Sequence, residues 1–129
     1  MILLDTHVLV WMSSHPERLS KKAYAAIRSA RHKDGVAIAS FTLWELAWLA
    51  ENRRIAIVGS VESFVRDTVS RVMVKAPTPE IAAQATQLPR DFPKDPGDRM
   101  IAATAIIENI PLVTADESIR QADVVQTIW

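Results

Sequence analysis

The sequence predicts a single α/β domain over residues 1–129, with a central parallel sheet of about four to five strands flanked by helices on both faces. Three observations carry this. Short apolar runs, Met1–Leu4, Val36–Ala39 and Pro111–Thr114, alternate with longer segments of helical period, and hairpin signals are scarce. A chain of 129 residues, 49% of them apolar, fills one core and is too short for two. No internal repeat, low-complexity tract or linker interrupts it.

Taken in order, Met1–Leu4 reads as a central strand that delivers Asp5 at its carboxyl end, and Thr6–Met12 continues as a short helix. Leu19–Lys33 is predicted helical, with Ser20 as N-cap, an apolar stripe of Ala23, Ala26, Ile27 and Ala30, and Gly35 as the stop. After the strand Val36–Ala39, Ser40 is placed to cap FTLWELAWLAEN, a helix apolar almost all round except at Glu45. Ser60–Val72 is amphipathic and reads as scaffold or interface, and Val72–Ala76 as another short strand. Thr78-Pro79-Glu80 starts a helix running through Ile81–Leu88. The three prolines of Pro89–Pro96 force a loop ahead of the next helix, whose Ile101, Ala102 and Ala105 lie at i+3, i+4 and i+7 from Asp98, so that Asp98 lies on or beside its inward face. Asn109 stops that helix, Asp116 follows the strand at Pro111–Thr114, a short helix spans Glu117–Gln121, and Val124–Ile128 closes the sheet.

Fifteen basic and fifteen acidic residues cancel, so there is no global field for a polyanion, and any such partner must be held by local patches. With no cysteine, a metal would have only oxygen or imidazole ligands. MILLD lacks a basic leader, and no apolar run approaches the ~20 residues of a membrane helix, so a cytoplasmic protein without membrane contact is expected.

Four acids stand out by position: Asp5, Glu45, Asp98 and Asp116. Each has a plainer reading. Asp98 suits a first helical turn, Asp116 suits a turn opening the next helix, and Glu45 can reach past Trp44 and Trp48 to solvent. Asp5 is harder to explain away, because an unpaired acid closing a buried strand is costly unless something neutralises it. Glu45 is harder still, a lone charge among Trp44, Leu46, Ala47, Trp48 and Leu49 that either snorkels to solvent or faces a site. Together they are more informative. If they converge within about 6 Å, each like-charge pair costs on the order of 2–3 kcal/mol at an effective dielectric near 20, and the cluster needs cations. All-oxygen ligands match Mg²⁺ or Mn²⁺, and two such ions can support phosphodiester hydrolysis.

LLDTHVLVW, a Glu in an apolar helix after the second strand, DPGDRMIAATA, LVTADE and a terminal TIW occur here in the order found in PIN-domain ribonucleases. The chain resembles that family over nearly its whole length, and most closely the VapC-type toxins of toxin–antitoxin pairs. The resemblance implies a PIN-like fold and an Mg²⁺- or Mn²⁺-dependent endoribonuclease whose catalytic and metal-binding acids are Asp5, Glu45, Asp98 and Asp116. It implies Thr6 and Thr114 as supporting hydroxyls, with Asp95 a possible fifth acid that is supporting or loop-structural. It further implies a homodimer, an RNA substrate, and a cognate antitoxin whose C-terminal segment covers the site with a basic side chain among the carboxylates. The chain departs from its relatives at Pro93-Lys94, where a His is common nearby, and at Gly97, where a bulkier residue is usual.

His7 admits a role in orienting a ligand or phosphate, or a structural hydrogen bond beside the core. Arg99 is expected to form a salt bridge with a nearby acid, with RNA contact as the alternative. The basic face of Leu19–Lys33 and Arg53-Arg54 could meet phosphates or simply be solvated. Trp11, Trp44 and Trp48 are compatible with protein interfaces. Two rivals remain: a non-catalytic PIN-like module that engages an antitoxin or RNA, and an aspartyl phosphotransfer enzyme. The second lacks its expected acid two residues after Asp5.

Overall fold

The computed structural model describes residues 1–129. Five strands form one sheet in the order β3-β2-β1-β4-β5, and every pairing is parallel. β1 (Ile2–Leu4) is central, flanked by β2 (Val36–Ala39) and β4 (Leu112–Val113), with β3 (Met73–Lys75) and β5 (Thr127–Ile128) at the edges. The seven helices are α1 (Thr6–Ser14), α2 (Lys21–Arg31), α3 (Phe41–Glu51), α4 (Val61–Thr68), α5 (Pro79–Thr86), α6 (Pro96–Glu108) and α7 (Glu117–Ala122). The chain winds outward through β2 and β3, then returns to the other side of β1 for β4 and β5. Strand order therefore reverses between β1 and β4, the position where open parallel sheets bind ligands at their carboxyl ends.

The strands are apolar on both faces because both faces are covered. Ile2, Leu4, Val36, Ile38 and Val113 pack with Val8, Leu9, Ile27 and Leu46. Leu3, Ala37, Ala39 and Leu112, pointing the other way by strand alternation, pack with Ile101, Ala102, Ala105 and Phe92. Leu3 and Leu4 are fully buried, each contributing about 1.5–3 kcal/mol by transfer from water. Truncating either to alanine would cost about 2–5 kcal/mol, and the strand that carries Asp5 would lose its anchor.

Helix ends follow local chemistry. Ser20 and Thr78 cap α2 and α5 through their hydroxyls, and Asn109 ends α6 in the left-handed conformation, φ 54°. Three expectations need correction. Ser40 lies in the right-handed helical region and makes no capping bond; α3 leads on directly from β2. The helix predicted over Ser60–Val72 stops at Thr68, because Val69 and Val72 pack on the same core from a tight turn and so prolong the apolar period beyond the helix. At the C-terminus only Thr127–Ile128 pairs as a strand, while Val125 is a core side chain of the preceding loop. A 3-10 turn at Pro16–Arg18 was not foreseen.

Candidate functional site

The carboxyl ends of β1 and β4 bring Asp5 and Thr114 together. Asp5 terminates the central strand and caps α1: Oδ1 accepts from the Thr6 N–H at 2.8 Å, and Oδ2 accepts from Thr114 Oγ1 at 2.7 Å. A buried carboxylate with both oxygens bonded is tolerable where a bare one is not. Thr114 Oγ1 in turn accepts from the Asp116 N–H at 3.1 Å, so one hydroxyl sets the spacing of two acids. Asp116 caps α7, with Oδ1 accepting from the Ser118 and Ile119 N–H groups.

Glu45 enters from α3. Its Oε1 accepts from Thr6 Oγ1 at 2.6 Å, and Thr6 Oγ1 lies 3.0 Å from Thr42 Oγ1. With its proton committed to ionised Glu45, Thr6 can only accept from Thr42. Thr42 is fully buried and was missed by sequence reasoning. The available signal was its spacing: a hydroxyl three residues before Glu45 in an otherwise apolar helix shares that residue's face.

Asp95 and Asp98 come from the start of α6. Asp95 is its N-cap, Oδ2 accepting from the Asp98 N–H at 3.0 Å. Between them Gly97 leaves a gap that no other residue would leave. A Cβ there would stand 2.8 Å from Phe41 Cε1, 3.0 Å from Asp95 Oδ2 and 3.2 Å from Glu45 Oε2. The small residue at this position is thus matched by the Phe41 ring and by two carboxylates that converge on it.

Electrostatics report the same convergence. The Asp98 carboxyl is pushed up to about 7, first by burial and then by the charges of Asp5, Asp95, Asp116 and Glu45. Glu45 is also raised, by burial foremost and by Asp5 and Asp95, against the opposing bond from Thr6. No lysine or arginine forms a salt bridge with any of these five acids. The oxygens without a hydrogen bond are Glu45 Oε2, Asp116 Oδ2, Asp95 Oδ1 and both of Asp98.

An all-oxygen donor set of this kind suits a hard divalent cation, and the space above Gly97 lies between two of its members. No three Asp, Glu or His side chains are posed around one point as ligands of a single ion. Asp5, Asp95 and Asp116 are turned toward helix N–H groups and, for Asp5, the Thr114 hydroxyl. An ion would draw them inward or be reached partly through water.

Arg99 departs from expectation, and His7 makes the structural hydrogen bond that was one of its two readings. Arg99 forms no salt bridge; its guanidinium donates to the carbonyls of Ala85, Pro89 and Phe92 at 3.3–3.5 Å, tying down the proline-rich loop, because the helix points it away from the acids. His7 Nε2 accepts from the Ala115 N–H at 3.1 Å, which puts the ring proton on Nδ1, 3.6 Å from Asp5 Oδ2. It links the ends of β1 and β4.

Comparison with known proteins is consistent with this geometry. The PIN domain model matches residues 2–125. Ribonuclease VapC22 of Mycobacterium tuberculosis is 44% identical over 119 residues, covering 92% of this chain and 89% of that protein. The solved structure of VapBC2 from Rickettsia felis bound to a promoter DNA fragment superposes with a TM-score of 0.75 at 20% identity, covering 98% of this chain and 97% of that one. DNA-bound VapBC from Salmonella typhimurium gives 0.71 at 20% identity, with coverage of 98% and 97%. At such identities these two speak to the fold.

Proposed function

The chain belongs to the PIN-domain family, and from that premise we propose that it is a metal-dependent endoribonuclease acting as the toxin of a type II toxin–antitoxin pair. The observation that carries the reading is the cluster of five acids at the switch point of the sheet, with no lysine or arginine ion-paired to it. Support for RNA as the substrate comes from the 44% identical relative, whose name is that of a ribonuclease. Support for an antitoxin partner comes from neighbours solved as VapBC or toxin–antitoxin complexes.

In this reading Asp5, Glu45, Asp98 and Asp116 hold Mg²⁺ or Mn²⁺, directly or through water. When bound, such an ion supplies a water acidic enough to attack a phosphodiester and a positive charge for the leaving oxygen. The chain supplies the rest. Thr6 and Thr114 fix the directions of Glu45 and Asp5, and Asp95 orders the first turn of α6 that carries Asp98. Asp98, whose carboxyl is raised to about 7, would have to be ionised to hold a cation. A homodimer and an antitoxin segment placing a basic group among the acids complete the proposal.

The test is cleavage of RNA by the purified chain with Mg²⁺ or Mn²⁺ and none in EDTA, with Asp5→Asn and Asp98→Asn inactive yet folded by circular dichroism. Undiminished cutting in EDTA would rule out the metal mechanism. The second reading, a PIN-like module that engages an antitoxin or RNA without turnover, is favoured by one observation: no three acids are posed on one point. It gains if the wild type binds RNA or antitoxin but cuts no RNA in Mn²⁺.

A further inference from the structure

Beside the acid cluster, where α1, the Pro16–Arg18 turn and the segment after α3 meet, lies a cleft of about 420 Å³, within the size range of small-ligand sites. His7 lines it, and the same imidazole stands 3.6 Å from Asp5, so the cleft adjoins the acids. No carboxylate lines it, whereas Arg18 and Arg54 both do. Neither guanidinium forms a salt bridge. Each instead lies over an indole, Arg18 at 4.6 Å from the Trp11 centroid and Arg54 at 5.8 Å from that of Trp48. Trp11 is itself braced by His7 at 4.9 Å and Trp129 at 5.9 Å. Leu49 and Ile55 add apolar wall.

A guanidinium laid on an aromatic face is ordered in advance, with its donors still free. In a chain whose charges balance overall, two such cations beside an acidic centre are complementary to an oxyanion, and a phosphodiester accepts both forks. The apolar wall and the exposed part of Trp11 offer a surface on which any base can rest. We propose that this cleft is a nucleotide subsite for single-stranded RNA flanking the scissile bond, with Arg18 and Arg54 on a phosphate and Trp11, Leu49 and Ile55 against the attached base. This rests on the ribonuclease reading and names how that substrate is held.

The experiment pairs metal-free binding with turnover. Anisotropy of a labelled single-stranded oligoribonucleotide in EDTA is titrated with full-length wild type, the double variant Arg18→Ala/Arg54→Ala, its Lys/Lys counterpart, and Lys33→Ala. Lys33 precedes β2, at the opposite end of the parallel sheet, and controls for the loss of a distant positive charge. The double Ala variant is expected to bind about tenfold more weakly, with a salt slope reduced by about 0.7, the worth of one neutralised single-strand phosphate. In Mn²⁺ its KM should rise by a similar factor while kcat stays within about twofold. The Lys pair should recover only part, and Lys33→Ala should match wild type. Unchanged RNA binding in the double variant or an equal loss in Lys33→Ala would each overturn the subsite. If wild type cuts nothing yet the double variant still loses RNA binding, the cleft stands and the nuclease reading falls.

Discussion

Replacing Asp98 by Asn should stabilise the ion-free protein at alkaline pH. Wild-type Asp98 rises from its ordinary value of 3.8 to about 7. The unfolded chain releases that proton near pH 4, the folded chain near 7. Between those values the folded state holds the extra proton, so stability falls as pH rises; the penalty is absent below about pH 4 and complete above about 7. The gap of about three pH units, at about 1.4 kcal/mol each, sets a ceiling of ~4 kcal/mol. Asp98 is only half-buried and its neighbours can relax, so we halve this to ~2 kcal/mol. Against it stands the loss of a favourable first-turn charge, about 0.3–1 kcal/mol. The variant should therefore be more stable than wild type by roughly 1 kcal/mol near pH 8 and equal to it near pH 4. Urea denaturation in EDTA, followed by tryptophan fluorescence across that range, measures the difference. Saturating Mn²⁺ should invert the order, because only wild type gains the ion's binding energy. A variant less stable than wild type at pH 8 in EDTA, or a gap independent of pH, would refute the electrostatic account of the cluster.

Other substitutions probe the supports. Gly97→Ala should lose about 1–2 kcal/mol by thermal melting, because its Cβ would press on Phe41 at 2.8 Å; a companion Phe41→Leu should recover most of it. Thr114→Val keeps the shape but removes the bonds to Asp5 and Asp116, costing about 2–4 kcal/mol, and should weaken Mn²⁺ binding by about 10–100-fold in calorimetry. Arg99→Lys should cost about 1–2 kcal/mol and raise amide exchange across residues 89–95, with Mn²⁺ affinity unchanged, since Arg99 touches carbonyls and no acid.

Much of the fold was legible because its signals are local. Apolar runs marked β1, β2 and β4, Ser20 and Thr78 announced their helices, and Asp5 was visibly an acid ending a buried strand. The competing explanations of the acids turned out not to compete: Asp5, Asp95 and Asp116 are helix caps and members of the cluster at once, since helices begin after β1 and β4 and after the proline-rich loop, where these acids stand. Arg99 was misread because adjacency to Asp98 in sequence places the two side chains about 100° apart around a helix.

The amino-acid sequence by itself determined most of the secondary structure, the parallel sheet and which acids stand at or near the ends of elements, since each follows from periodicity, capping and strand termini within a few residues. Only the tertiary structure decided which oxygen each acid leaves free, that Thr42 stands behind Thr6, that Gly97 makes room for Glu45 beside Phe41, and that Arg18 and Arg54 line one cleft. Those facts depend on contacts between segments distant in the chain, and neither propensity nor spacing carries the angles at which packed elements meet.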